Sequence, residues 1–422
     1  MPRAEVDTER TVRTLVQYKV AVEDLKPGMY VASLDRPWLE SSFLFQGFTI
    51  RDKSDLEALR AECEYVYIDV EKGIPATRYL PETDTGPAHD EHAEIFRMPS
   101  GHIRYPEQTR FEEELGPARA AYHHTLDEIS NVLDDLRAGR KLSVPAVRQS
   151  VSGMIDSVIR NPDAFLWLTR LKDKDNYTYA HCVDACSLAV AFGRHLGFNR
   201  LELENLAVGT LLIDVGKMKL PDELLHKPGR LNSAEAALFR RHVAYGVEIV
   251  SGMKGSNTLI IDTILHHHER HNGKGYPNSV PGHQIPVFGR IAAVVDCYDA
   301  ITSDRPYARA ISSYAAIQKL YEWRDKDFQT DMVEQFIQCL GVFPVGTVVE
   351  LNTGEVGIVI AQNRVRRLRP KVMLVLDRDK AALESNPVLD LMQNPTEDGR
   401  PVEIRTALEP GTYGVEPKDF YL

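Results

Sequence analysis

The chain has little cysteine, no surplus of positive charge and no long apolar run. Its five cysteines, Cys63, Cys182, Cys186, Cys297 and Cys339, are scattered and odd in number. Neither a disulfide framework nor a paired-cysteine zinc knuckle is expected, and a reducing cytoplasm fits that usage. The formal net charge of −11 argues against unspecific binding to DNA or to an anionic membrane, since both repel a chain of that sign. An anionic small substrate would need local cations. No apolar stretch approaches the roughly 20 residues that span a bilayer, so no membrane insertion is expected. The opening MPRAEVDTER is charged and lacks the apolar core of a signal peptide. Internal repeats and low-complexity tracts are also missing.

What is there divides by pattern. At 422 residues the chain exceeds one ordinary core and predicts two to four domains of roughly 100–200 residues each. Residues 1–75 read as a small β-rich module. YKVAVEDLKPGMYVASLD has short alternating runs split at Pro27-Gly28, DKSDLEALRAEC is a helix with Leu56 and Leu59 on its apolar side, and EYVYIDV returns to strand chemistry. Residues 76–110, rich in proline, glycine, aspartate and histidine, read as a linker. Residues 111–164 form a helical connector in which Ser143 is a candidate N-cap with proline in the first turn. Residues 165–345 are helical, with helices expected near 178–197, 202–218, 233–251, 257–270, 286–303 and 313–322. Residues 346–422 make a C-terminal β module: GTVVELNTGEVGIVIA pairs across Asn-Thr-Gly, and KVMLVLD adds a third strand. The expected fold class is multidomain α+β, a mainly α catalytic bundle between two small β modules.

The most informative stretch is HHHERHNGKGYP, His266 to Pro277. Bunched imidazoles supply transition-metal ligands, and a glycine-rich loop lets a ligand approach the backbone. Helix spacing selects their partners. Phe239, His242, Gly246 and Ile249 recur at steps of three and four, which puts His242 on a buried face. Ile260 and Ile264 continue to His267 and His268. Ala292, Asp296 and Asp299 share a face, His181 begins an apolar helix, and Asp214 sits inside an apolar run. A bare buried carboxylate is costly, so each needs a partner; for Asp296 alone, pairing with Arg290 or helix capping would also serve. Imidazole and carboxylate donors without thiolate suit Fe, Mn, Zn, Co or Ni. Asp214 has two oxygens with which to bridge two ions, and two ions about 3.5–4 Å apart support in-line displacement at phosphorus.

Asp214-Val215-Gly216-Lys217, His242 with Gly246, His267-His268-Glu269, Asn272 to Pro277, Asp296 and DAITSDRPY together resemble the HD-GYP domain, a branch of the HD superfamily of helical metal-dependent phosphohydrolases. The resemblance covers about residues 165–345; residues 18–70 also resemble the small module that often precedes HD-GYP domains. It implies a bacterial cyclic di-GMP phosphodiesterase that yields pGpG or GMP at a binuclear or trinuclear centre, often of iron or manganese. Carried over by position, His181, Asp214, His242, His267, His268 and Asp296 are metal ligands. Lys217 faces the scissile phosphate, Gly275-Tyr276-Pro277 shapes the pocket, and Arg305 contacts substrate.

This chain departs from the pattern at three places. Ile213 stands where the motif has histidine, Tyr177 where trinuclear members have glutamate, and Ala308 where some members are basic, with Arg309 as a substitute. By the same resemblance, one metal keeps His181, Asp214 and Asp296, and the other keeps His242, His267, His268 and Asp214. One or two ions are therefore expected. The alternative to an active, slower phosphodiesterase is a catalytically degenerate module that binds cyclic di-GMP or a partner such as a diguanylate cyclase. Residues 111–160 would either pack against the catalytic helices or mediate a homodimer.

Other signals have two readings each. His266 and His271 would rescue the weakened site or lie at a solvated helix end. Glu269 would orient a ligating histidine or sit on the surface. NRVRRLRPK would attract a nucleotide or an acidic partner, or form a solvated hairpin loop. Trp38 and Phe43 would make a docking surface or fill the small module's core.

Overall fold

Period-two patterning in the first 70 residues produces a sheet. In the computed structural model, which describes residues 17–35, 48–50, 53–69, 103–140, 143–170, 177–227, 229–303, 309–364, 366–393, 396–397 and 399–420, β1 (Gln17–Ala21), β2 (Tyr30–Leu34), β3 (Phe48–Thr49) and β4 (Tyr65–Asp69) pair antiparallel in the order β1-β4-β2-β3. Helix α1 (Lys53–Glu62) places Leu56 and Leu59 in one core with Val20, Val31, Val66 and Ile68. Trp38 and Phe43 lie outside the described residues. This sheet belongs to one unit, Met1–Arg97; the rest forms a second, Met98–Leu422.

The second unit opens with residues 103–110, which the sequence assigns to a linker. They are tied to helices: the Ile103 amide donates to the Gly197 carbonyl (2.9 Å), the Tyr105 hydroxyl to Phe198 (2.7 Å) and the Gln108 amide to Arg160 (2.9 Å). Then follow α2 (Phe111–Arg137), α3 (Val144–Arg160), α4 (Pro162–Leu168), α5 (Tyr177–His195), α6 (Arg200–Leu211), the short α7 (Asp222–Leu225), α8 (Ser233–Arg240), α9 (His242–Ser251), α10 (Thr258–His266), α11 (Val287–Ile301), α12 (Ser313–Glu322) and α13 (Thr330–Leu340). Several starts are capped by side chains: Asn199 with Glu202 and Asn232 with Glu235 form capping boxes, and Asn257 accepts from the Ile260 amide. Ser143 does stand at the N-cap of α3, without a side-chain bond. Among these helices α5 packs on α6 and α11, and α10 on α6, α9 and α11. No helix among the described residues is long and apolar enough to cross a membrane.

Three expected helices are shorter or broken, each at the site. The one expected over 202–218 stops at Leu211, and Asp214 occupies a turn before a 3-10 segment, Val215–Lys219. The one over 233–251 breaks at Arg241. The one over 257–270 ends at His266, so His267 and His268 lie just past it. Helical periodicity persists across each break because the buried face is continuous, so the sequence pattern does not reveal where the axis turns.

The C-terminal hairpin forms as expected. β5 (Val348–Leu351), β6 (Val356–Ala361), β7 (Lys371–Leu376), β8 (Val388–Asp390) and β11 (Ile404–Leu408) make a five-stranded sheet in the order β11-β5-β6-β7-β8, while β9 (Thr396–Glu397) and β10 (Arg400–Pro401) pair separately. The basic run beside it is not a free solvated loop. Arg364 reaches the buried carboxylate of Asp163 on α4 and Glu107 (3.2 Å), Arg367 bonds Gln338 (3.3 Å) and Arg369 bonds Glu403 (2.9 Å). The run fastens the sheet to the helices and to itself.

Candidate metal centre

Helix ends, rather than helix middles, aim the first group of donors. His242 opens α9, and its Nδ1 lies 2.8 Å from the Phe239 carbonyl at the end of α8; His267 follows α10, with Nδ1 2.7 Å from the Ile264 carbonyl. A carbonyl only accepts, so each Nδ1 carries the proton and each Nε2 presents a lone pair. The two Nε2 atoms are 3.4 Å apart. His268 joins them, with ligand atoms of all three histidines within 4.8 Å of one another. Burial holds them neutral: it lowers the His242 pKa, takes His267 down to about 4, and with the neighbouring His267 puts His268 well below its ordinary value. Neutral imidazole is the form that ligates a metal.

The second group is ionic. His181 on α5 directs Nδ1 at Asp299 Oδ2 (2.6 Å), and its Nε2 lies 3.2 Å from Asp296 Oδ1 and 3.6 Å from Asp214 Oδ2. Burial alone would lower the His181 pKa; the bonds and charges of Asp296 and Asp299 outweigh it and raise the value to about 9. Asp214 joins the two groups, because its Oδ1 is 3.6 Å from His242 Nε2. Burial opposes its ionisation, but the charges of Lys217 and His181 outweigh that and hold it well below the usual carboxylate range. The Lys217 ammonium pairs with Asp214 Oδ2. Ile213 is fully buried and adds no donor.

Backbone proximity fixes the turn that carries Asp214 and Lys217. A Cβ on Gly216 would stand 1.9 Å from the His242 carbonyl oxygen and 2.4 Å from the Gly246 nitrogen. Only glycine there lets the 3-10 segment lie against α9, which accounts for the paired glycines in the motif.

The Gly-Tyr-Pro loop is held from beneath. Glu269, buried, accepts from the Asn278 amide (2.7 Å) and the Val280 amide (3.2 Å). It therefore anchors the loop, which neither sequence reading anticipated. The Tyr276 amide donates to the His268 carbonyl (3.1 Å), and the Tyr276 ring centre is 4.5 Å from that of His268. A Cβ on Gly275 would meet Glu269 Cα at 2.4 Å, so the loop lies directly against the Glu269 backbone.

His181, Asp214, His242, His267, His268 and Asp296 are thus brought together, with Lys217 and Tyr276 beside them. Asp296 does not pair with Arg290, whose guanidinium bonds the Ile285 and His283 carbonyls and Gln329. His266 turns to the Asp262 carbonyl (3.0 Å), and the His271 ring packs against Gly282. Neither replaces the donor missing at 213. Arg305 and Ala308 lie outside the described residues, as does the Tyr177 side chain; Arg309 is exposed. The sequence reading assigned no role to Asp299 or to the Phe239 and Ile264 carbonyls. A signal existed, since each precedes or follows a donor by three residues.

The donor set fits a divalent transition metal. Neutral imidazole lone pairs and two ionised carboxylates converge with no thiolate among them, and the remaining ring nitrogens of His181, His242 and His267 are already bonded elsewhere.

Residues 167–331 match the HD domain, a metal-dependent family, residues 17–147 a domain of unknown function (DUF3391), and residues 348–397 a KOW domain associated with the HD domain. The cyclic di-GMP phosphodiesterase PA4108 of Pseudomonas aeruginosa is 34% identical over 377 residues, covering 88% of each chain. The cyclic di-GMP phosphodiesterase response regulator RpfG of Xanthomonas campestris is 34% identical over 39% of this chain and 44% of its own. The solved HD-GYP-type protein Bd1817 of Bdellovibrio bacteriovorus aligns over 76% of this chain and 98% of its own at 16% identity, with a TM-score of 0.43. With the HD-domain match and a full-length relative at 34% identity, this chain belongs to the HD-GYP family of HD-domain proteins.

Proposed function

We propose that the protein is a metal-dependent phosphodiesterase that hydrolyses cyclic di-GMP to pGpG or GMP. The observation that carries this reading is the convergence of His181, Asp214, His242, His267, His268 and Asp296 in a chain 34% identical along 88% of its length to a cyclic di-GMP phosphodiesterase. Iron or manganese suits the mixed imidazole and carboxylate donors, with zinc, cobalt or nickel as substitutes. His242, His267, His268 and Asp214 would hold one ion; His181, Asp296 and Asp214 would hold a second more weakly, because Ile213 supplies nothing. Bound metal supplies Lewis acidity and an acidified water.

The chain's own groups do the rest. Water adds to phosphorus, the bond from phosphorus to one ribose oxygen breaks, and that oxygen leaves with a proton. Lys217 offers its charge to the phosphate, where negative charge builds in the transition state. Gly275, Tyr276 and Pro277 wall the site on the His268 side, and Arg305 and Arg309 serve as substrate contacts. The domain that does this spans 165–345, behind the 1–75 module and the 111–164 connector, and ahead of the 346–422 β module. Cysteines free of disulfides, four of them buried, support a cytoplasmic setting.

Ile213 favours a second reading, a receptor that binds the nucleotide without turnover. Anaerobically purified protein loaded with Fe(II) or Mn(II) and given cyclic di-GMP separates the two. Release of pGpG or GMP is the expected result. Micromolar binding with no product under either metal overturns the enzyme reading in favour of the receptor.

A further inference from the structure

Arg240 ends α8, two residues before His242, and is exposed. Its guanidinium carbon lies 5.1 Å from the centre of the Tyr276 ring. The other face of the same neighbourhood is the metal centre: the Tyr276 ring centre is 4.5 Å from His268 and 6.4 Å from His242. Among the described residues no carboxylate pairs with Arg240, whereas Lys217 is paired with Asp214 and Lys219 with Glu248 (2.8 Å).

Chain geometry fixes that position. The break at Arg241 lets the Phe239 carbonyl receive His242 Nδ1 while the next side chain reaches across to the loop. Tyr276 is itself tied down through its amide to His268 and through Glu269 beneath the loop. A guanidinium lying on a fixed aromatic ring keeps its edge donors free, and that edge matches a phosphate or the O6 and N7 edge of guanine in two-point fashion. A cyclic dinucleotide with one phosphodiester at the metal still has a second phosphate and two purines to place beside it. In a chain of net charge −11, a cation beside the centre with no carboxylate partner among the described residues favours an anion there.

We propose that Arg240, stacked on Tyr276, is a substrate-binding residue that grips the half of the cyclic dinucleotide not undergoing hydrolysis. This rests on the proposed function and adds one contact to those proposed there for Lys217, Arg305 and Arg309. Arg240 binds the same distal group before and during the reaction, so it lowers KM more than it raises kcat.

The test compares wild type with Arg240→Gln and Arg240→Lys in the full metal-loaded chain. For Arg240→Gln, KM for cyclic di-GMP is expected to rise about tenfold, the value of one charge-assisted contact, with kcat changing far less. The metal-to-protein ratio stays at the wild-type value, and Arg240→Lys recovers part of the loss. The ratio of kcat/KM for cyclic di-GMP to that for bis(p-nitrophenyl) phosphate, which has one phosphate and no purine, falls by a similar factor. An unchanged KM, or an equal loss on both substrates, overturns the assignment. So does loss of metal, which would mean that Arg240 only supports Tyr276 and His268. Wild-type protein that neither binds nor cleaves cyclic di-GMP overturns the functional reading itself; wild-type activity with an indifferent variant overturns Arg240 alone.

Discussion

The two sides of the metal centre share one carboxylate and differ in nearly everything else. On the His242, His267 and His268 side the imidazoles are neutral, and two of them are oriented by backbone carbonyls one helical turn earlier. On the His181 and Asp296 side the imidazole is oriented by a second carboxylate, Asp299, and charge balances charge. The first side has its donors aimed and desolvated before any cation arrives. The second holds itself together with a proton on His181 that a cation must displace. Ile213, buried beside Asp214 in the chain, brings no lone pair. Orientation by backbone is a property of the fold, whereas orientation by Asp299 depends on one side chain. The difference teaches that a cluster of donors can lack an imidazole at 213 and still keep one half fully aimed, so that its two halves are unequal.

Removing a donor from the better side breaks the comparison most severely. His267→Ala should lower metal affinity by more than about a hundredfold, beyond the range typical of outer partners, and cut the metal-to-protein ratio measured by elemental analysis. Retention of wild-type metal would mean that the two sides are not as different as their geometry says. Adding a donor to the poorer side sharpens it. Ile213→His should raise the ratio towards two metals per chain and increase the rate about tenfold, read by elemental analysis and by product release. An unchanged ratio would show that position 213 does not limit that side.

The smallest effect is a control away from the centre. Glu114 on α2 is buried and bonds Arg160 and Ser157 (2.8 Å) on α3. Burial works against its charge, but Arg160, Ser157 and Thr109 outweigh that and lower its pKa. Its contribution to stability is therefore complete above the unfolded carboxylate pKa and is lost as pH falls through the folded value. Glu114→Gln should cost about 2 kcal/mol at pH 7 and progressively less as pH drops below about 4, in urea unfolding. Metal content should not change. If metal is lost too, stability and ligation are coupled and the unequal sides have to be reread as a scaffold effect.

Much of the site could be read in the residues because ligand chemistry is local. His242 and Gly246 repeat at helical spacing, the His267-His268 pair precedes the loop, and the apolar run around Asp214 demanded a partner for its charge. What escaped was the behaviour of chain ends. Periodicity carried the expected helices through Arg241 and past His266, yet those breaks free the carbonyls' neighbours to aim His242 and His267. Glu269 was open between a partner for a histidine and a surface residue, and instead holds the amides of Asn278 and Val280. The arginines after Asn363 looked solvated, yet Arg364 binds the buried Asp163, some two hundred residues earlier.

The sequence by itself determined the layout of α and β segments, the donor types available and the absence of an imidazole at 213, because these follow from residue identity and short-range period. Only the tertiary structure decided which donors share Asp214, which imidazoles stay neutral and which cation stands over Tyr276. Those outcomes depend on desolvation and on distances between segments far apart in the chain, and both exist only once the helices have packed.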